Sequence, residues 1–181
     1  MSASQPSLSP DQLNLRQCIQ KVATGPEYSK DITYQNAYDA MRFILSGEAD
    51  PVQAAIFFIA LRMKRETDDE NRGILQAIID TAGPVTADVD ELIDISDPYD
   101  GFARGLPAST FLPAVLAAAG LPAVLHGLEE VGPKFGATHN MILKACGKSV
   151  TLTPAEAATQ LADANVGWAY VDQASYCRPL H

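Results

Sequence analysis

The sequence is poor in cysteine and in positive charge. Its three cysteines, Cys18, Cys146 and Cys177, lie far apart and form no CxxC pair. We therefore expect neither a disulfide framework nor a zinc site. The chain has 13 Lys and Arg against 22 Asp and Glu, which gives a formal net charge of −9. Because proteins that bind nucleic-acid phosphates usually carry a basic face, we do not expect nucleic acid as a partner.

Long hydrophobic runs are also missing, as is an amino-terminal segment that is first basic and then apolar. The longest apolar run, residues 54–61, is far shorter than the ~20 residues that span a bilayer, and its length is typical of a buried helix segment. These absences argue against a membrane partner. Together with the low cysteine content, they predict a cytoplasmic protein.

What the sequence does contain is a series of helix starts in its first 83 residues. Ser9, Thr33, Asp50 and Thr67 each stand as a capping residue in front of a helical pattern. The helix that follows Asp50 is apolar on nearly every face, which predicts that it lies inside a bundle. Residues 1–83 are therefore predicted to form an all-α domain.

The turn between the third and fourth predicted helices is densely charged. Basic residues come first and acidic residues follow, in the order Arg62, Lys64, Arg65, Glu66, Asp68, Asp69 and Glu70. Because exposed opposite charges at a helix corner are usually solvated, we expect a surface on which they neutralise one another, and not a docking site.

Strands alternate with helices after Gly83. Strands are predicted over residues 92–95, 122–126 and 166–171, and helices over residues 108–119, 136–146 and 154–164. This alternation is typical of a parallel sheet with helical crossovers. Residues 84–181 are therefore predicted to be a partial parallel α/β domain, since such a sheet ordinarily has more than three strands. The whole chain is an α/β protein with an amino-terminal all-α bundle.

Residues 40–69 carry a dense sequence resemblance. Gln53 lies in the first turn of the apolar helix. The end of this helix and the turn that follows it have the sequence Ala60-Leu61-Arg62-Met63-Lys64-Arg65-Glu66-Thr67. This stretch resembles the helical domain of the glycosyltransferase family that includes anthranilate phosphoribosyltransferases and pyrimidine-nucleoside phosphorylases. The family pattern is Gln-x-x-Ala-Phe followed by Ala-Leu-Arg-x-Lys-Gly-Glu-Thr.

The resemblance implies an activity and its partners. The activity is the transfer of ribosyl phosphate from a donor such as phosphoribosyl pyrophosphate, with Mg²⁺ bridging the phosphates and no organic cofactor. It also implies a homodimer formed through the amino-terminal helices. The match covers about the first half of a typical family member, so a partner chain or a missing segment is expected to complete the sheet.

The second half of the chain follows the family's motifs in the same order. Ser109-Thr110 fall on Asn-x-Ser-Thr, His126-Gly127 on Lys-His-Gly-Asn, and Lys134-x-Gly136 on Ser-Lys-x-Gly. By resemblance, His126 is the catalytic residue beside the acceptor, although a strand-end histidine bonded to the backbone is the alternative. The resemblance also implies a set of phosphate-binding residues, which are Ser109, Thr110, Gly127, Lys134 and Gly136. For Ser109 and Thr110 the alternative role is helix capping.

The chain departs from the family where the pyrophosphate loop should be. Residues 97–101 replace the family's Gly-Thr-Gly-Gly-Asp, and the change places the chain in a divergent branch. Asp97 and Asp100 are predicted either to hold Mg²⁺ against phosphate or to form a plain acidic turn. Leu125 and Leu128 stand where the family has Lys and Asn. His139 is expected to be structural or solvent-facing. These losses favour a second hypothesis, a non-catalytic dimerising binding or assembly module.

Overall fold

The computed structural model describes residues 7–25, 27–96 and 101–180. The chain divides between Ala82 and Gly83 into two compact units, a helical one and an α/β one. Within the described ranges, no helix combines the length and the hydrophobicity that crossing a membrane requires.

The described part of the first unit contains four helices, and their starts follow the predicted capping residues. They are α1 (Pro10–Val22), α2 (Tyr34–Leu45), α3 (Pro51–Lys64) and α4 (Asp68–Ala82). The Ser9 side chain accepts a hydrogen bond from the Gln12 amide, and Thr33 and Asp50 cap α2 and α3 in the same way. These bonds satisfy amide groups that the first turn of a helix leaves without partners.

Helices α2 and α4 pack closely because a glycine lies at their contact. A Cβ atom at Gly73 would collide with the backbone carbonyl of Tyr34. Around α1, α2 and α3, buried apolar residues form one continuous core, which includes Leu15, Ala37, Phe57 and Leu61.

Helix α3 is not enclosed as its composition predicted. Phe57, Ala60 and Leu61 are buried, but Val52, Ile59 and Met63 are 63%, 60% and 75% exposed. Within the helical unit, α3 packs mainly against α1, so one side of an all-round apolar helix is left facing outward. The prediction was therefore wrong for that side.

A buried ion pair occupies the corner that was expected to be solvated. Glu70 is fully buried, and its carboxylate accepts hydrogen bonds from the Ile32 amide at 2.9 Å, the Thr67 amide at 2.7 Å and Lys64 Nζ at 3.0 Å. Lys64 Nζ also donates to Asp31 Oδ1 at 2.6 Å. Burial by itself lowers the pKa of Lys64, but its bonds to Asp31 and Glu70 raise it overall. The contacts to Ile32 and Asp31 tie the α3–α4 turn to the segment before α2.

Arg65 begins that turn in a conformation that favours glycine. Its φ is +72°, a region that side chains with a Cβ rarely adopt. The family pattern has glycine at this position, so the substitution leaves a strained residue next to the buried ion pair.

The second unit is a three-stranded parallel sheet with helices on both faces, as predicted. Its strands are β1 (Ile93–Ile95), β2 (Ala123–Gly127) and β3 (Trp168–Asp172), in the order β1-β2-β3. The helices are α5 (Leu112–Ala118), α6 (His139–Ala145), α7 (Pro154–Ala162) and α8 (Gln173–Tyr176). Leu143 of α6 packs on Leu125 and Tyr170, while α7 packs on Ala169 and Val171 of the opposite face.

Two helix boundaries differ from the prediction for identifiable reasons. The segment 136–146 becomes helical only at His139, because Thr138 is the capping residue and accepts from the Met141 amide. The segment 108–119 begins as a 3₁₀ turn, Ala108–Phe111, and α5 starts at Leu112. Pro113 has no N–H to donate to the Ser109 carbonyl, so an α-helix cannot continue from Ser109 through this point. Proline is tolerated in the first turn of a helix, which is where Pro113 lies in α5.

Replacing Glu70 by Gln tests the buried ion pair. We expect Glu70→Gln to lower the free energy of unfolding by about 3 kcal/mol, because Lys64 keeps its charge while losing its buried partner. Urea denaturation followed by circular dichroism measures this change. Asp69→Ala is the control, since the Asp69–Arg72 pair is exposed and should contribute less than about 1 kcal/mol. Equal effects of the two variants would contradict the assignment.

Candidate functional site

A cavity of about 610 Å³ lies where the strands of the α/β unit end. His126 and Gly127 border it at the end of β2, Tyr170 comes from β3, and Gln173 follows β3. The carboxyl ends of parallel strands meet at one edge of a sheet, which is where ligands bind in open α/β folds. The volume is within the range of ordinary small-molecule sites.

His126 is held on both sides of its ring. Its Nε2 lies 3.0 Å from Asp94 Oδ1, and its Nδ1 lies 3.2 Å from the Tyr176 hydroxyl. The Tyr176 ring meets the imidazole edge to face. His126 thus lines the cavity while both of its nitrogens bond to other side chains of the protein.

A second histidine lies beneath the cavity in a buried polar cluster. His139 is 4% exposed, and its Nδ1 lies 2.8 Å from Oγ1 of Thr110, which is also buried. Of the two roles expected for His139, the structure shows the structural one and not the solvent-facing one, because the Thr138 cap turns the first residue of α6 inward. The Thr110 hydroxyl is hydrogen-bonded to this ring in the interior of the α/β unit.

Asn140 and Tyr170 add to this buried cluster. Burial raises the pKa of Tyr170 to about 12, an effect that the neighbouring Asn140 amide only partly offsets. Among the residues that the structure describes, the Tyr170 hydroxyl has no hydrogen-bond partner of ordinary geometry. Tyr170 therefore remains a neutral, protonated group at any ordinary pH.

Two loops cross at the rim of the cavity through a pair of glycines. A Cβ on Gly136 would lie 2.6 Å from the backbone carbon of Gly101, a distance that real Cβ atoms do not show. Next to this crossing, Phe102 and Ala137 form an antiparallel bridge with bonds of 2.9 and 3.1 Å. Close backbone approach is therefore one reason for glycine at position 136.

The structure brings together only part of the predicted site. His126, Gly127 and Lys134 line the cavity, whereas Ser109, Thr110 and Gly136 are not among its lining residues. Asp97 and Asp100 lie outside the described residues. In the ranges that are described, no cluster of three or more His, Cys, Asp or Glu side chains could hold a metal ion.

Leu125 and Leu128, which replace polar residues of the family pattern, lie in different surroundings. Leu125 is fully buried in the core of the sheet, so it contributes packing and does not face the cavity. Leu128 lines the cavity with Val131 and Leu180. One wall of the site is therefore apolar where the family pattern has a polar Asn.

Sequence reasoning missed Asp94, and it did not place His139 or Tyr170 in the site. Asp94 sits on an edge strand, and only the register of β1 with β2 brings it near His126. The alternation of side chains along β1 could not have shown this, because the face that Asp94 shares with His126 is set by the register of the two strands.

The helical unit is where this chain is most recognisably similar to known proteins. A sequence model described as "Glycosyl transferase family, helical bundle domain" matches residues 16–82. The chain is 32% identical to an anthranilate phosphoribosyltransferase of Chelativorans sp. (strain BNC1), over 87% of the chain and 44% of that protein. It is 30% identical to that of Cellvibrio japonicus (strain Ueda107), again over 87% of the chain and 44% of the relative.

A solved structure has the same fold. The crystal structure of anthranilate phosphoribosyltransferase from Thermus thermophilus matches with a TM-score of 0.71 and 20% identity, over 92% of this chain and 47% of that one. The match includes the helical domain and the parallel sheet that follows it. The chain thus spans less than half the length of the relatives it matches.

Proposed function

Because the chain belongs to the glycosyl transferase family and is phosphoribosyltransferase-like, we propose that it binds a pyrophosphate-activated ribosyl donor for transfer of ribosyl phosphate to an acceptor. The cavity at the carboxyl end of the parallel sheet is the observation that carries this proposal. It lies where this class of fold binds ligands, and His126, Gly127 and Lys134 of the family's motif positions line it.

Lys134 supplies the positive charge for the phosphates. Its side chain belongs to the cavity wall, in the loop between β2 and α6. An ammonium group forms charge-assisted hydrogen bonds with phosphate oxygens, which are stronger than those of neutral donors. Gly127 carries no side chain, so its backbone is open to a close approach by the ligand.

The other predicted phosphate ligands have different roles in this proposal. Ser109 is half-buried beside Thr110 and lies outside the cavity lining, whereas Thr110 orients His139 from below. Gly136 lets two rim loops cross. His126 stands beside the acceptor, and Leu128 and Leu180 give that acceptor an apolar surface.

Mg²⁺ would accompany the donor, because a divalent ion neutralises adjacent phosphates and commonly sits between them and carboxylates. The described residues do not by themselves form a metal site. Asp97 and Asp100 therefore remain the predicted protein ligands, and the proposed binding by Lys134 does not depend on them.

Thermal unfolding with phosphoribosyl pyrophosphate and Mg²⁺ tests the proposal. At about 100 times its dissociation constant, the donor should add about 2.7 kcal/mol and raise Tm by roughly 5 to 10 °C. We expect the Lys134→Ala variant to lose most of this shift in Tm. The control is Lys148→Ala, which replaces an exposed lysine outside the cavity lining and should keep the shift.

Two further samples complete that experiment. Mg²⁺ alone and Mg²⁺ with inorganic pyrophosphate separate binding of the whole donor from binding of its phosphates. A shift that is equal for pyrophosphate and for the full donor, or one that survives in Lys134→Ala, would contradict the assignment.

The exposed side of α3 favours a second function, that of a dimerising binding or assembly module. Val52, Ile59 and Met63 lie on this side, and each is more than half exposed. Exposed apolar patches on helices are usual at protein interfaces. We propose that two copies pair through this surface, and that pairing does not require the cavity to be active.

A charge on this surface tests the pairing. We expect Ile59→Glu to convert a dimer of the 19.4 kDa chain into a monomer, because pairing would bury the new carboxylate in an apolar interface. Sedimentation equilibrium measures the change, and Gln17→Glu, at an exposed position of α1, is the control. A wild-type protein that is already monomeric at tens of micromolar would refute this surface as a dimer interface.

A further inference from the structure

Asp94, His126 and Tyr176 come from three elements and form one hydrogen-bonded row at the cavity wall. We propose that Asp94 and Tyr176 are positioning residues, which together hold the imidazole of His126 in one tautomer and one orientation. The consequence for ligand binding rests on the function proposed above, but the arrangement itself does not.

The fold brings the three side chains together. Asp94 pairs in register with Val124, so His126 lies two residues further along β2 on the same face of the sheet. Tyr176 approaches from the end of α8. The start of this short helix is fixed by Asp172, whose Oδ1 accepts from the Ala174 amide at 3.0 Å. No side chain of the row depends on a long exposed loop for its position.

The direction of each hydrogen bond follows from its donor and acceptor groups. An ionised carboxylate can only accept, so Nε2 of His126 must carry the hydrogen that points at Asp94. A neutral imidazole then has a lone pair on Nδ1, and the Tyr176 hydroxyl must donate to it. Burial first, and then the charge of Asp94, raise the pKa of Tyr176, which keeps this hydroxyl protonated.

The row changes what His126 can offer to a ligand. Both ring nitrogens are committed to protein partners, so a ligand in the cavity meets a fixed ring and not a free nitrogen. If the ring gains a second proton, Nδ1 donates to the Tyr176 oxygen, and the hydroxyl hydrogen is released to donate elsewhere. Asp94 and Tyr176 therefore affect the cavity only through His126.

Nitrogen NMR of labelled histidine tests the arrangement without any ligand. The chain has three histidines, and the loss of signals in His126→Gln assigns the relevant ring. We expect the wild type to show hydrogen on Nε2 and a hydrogen-bonded lone pair on Nδ1. Asp94→Ala should abolish the slowly exchanging Nε2 hydrogen, and Tyr176→Phe should move only the Nδ1 resonance. Tyr170→Phe, which removes another hydroxyl at the same cavity, should change neither signal.

The result that overturns the proposal is specific. A wild-type ring with its hydrogen on Nδ1, or His126 signals unchanged in both variants, would show that Asp94 and Tyr176 do not set the tautomer. Asp94 is 64% exposed, so Asp94→Ala should fold, and backbone amide spectra confirm this for each variant.

A mutant cycle on donor binding distinguishes positioning from a general structural role. Because His126 precedes Gly127 of the phosphate-binding set in the cavity wall, Asp94→Ala should weaken binding of phosphoribosyl pyrophosphate about tenfold in the wild type, but less than about twofold when His126 is already Ala. An equal loss in both backgrounds would mean that Asp94 does not act through His126. If the wild type does not bind the donor, the proposed function fails, and the NMR result still decides the arrangement of the row.

Discussion

The site depends on the parallel pairing of three short strands. Because all three run in one direction, the chain leaves each of them at the same edge of the sheet, and Gly101, Gly127 and Gln173 meet there around one cavity. A shift of β1 by one residue would turn Asp94 to the opposite face and leave His126 with one partner. Packing on the α6 face stabilises this register, since Ile95 of β1 packs against the cluster that contains Leu125 and Leu143.

The densest part of the family resemblance and the candidate site lie in different parts of the chain. The densest resemblance includes Lys64, which the structure buries against Glu70, so that motif stabilises the helical unit. The cavity lies in the α/β unit, where the chain has Leu128 in place of a polar Asn and where the pyrophosphate loop is altered. The helical unit thus keeps the family pattern, whereas the cavity wall of the α/β unit has changed from it.

Local features of this fold could be predicted from the sequence, and long-range ones could not. The caps Ser9, Thr33 and Asp50 act on amides three residues away, so their helix starts were predictable. The burial of Glu70 depends on Ile32, which is 38 positions earlier, and a solvated corner was predicted instead. The same contrast between local and long-range features holds for the site. Motif order identified His126, but only the strand register placed Asp94 beside it.

We propose that the cavity at the strand ends binds a ribosyl pyrophosphate donor. Titration of the isotopically labelled protein with phosphoribosyl pyrophosphate and Mg²⁺, followed through backbone amide resonances, tests it most directly. We expect saturable shifts confined to the cavity wall, with Gly127, Lys134 and Thr138 among the affected amides. Shifts centred on the helical unit, or none at millimolar donor, would contradict it.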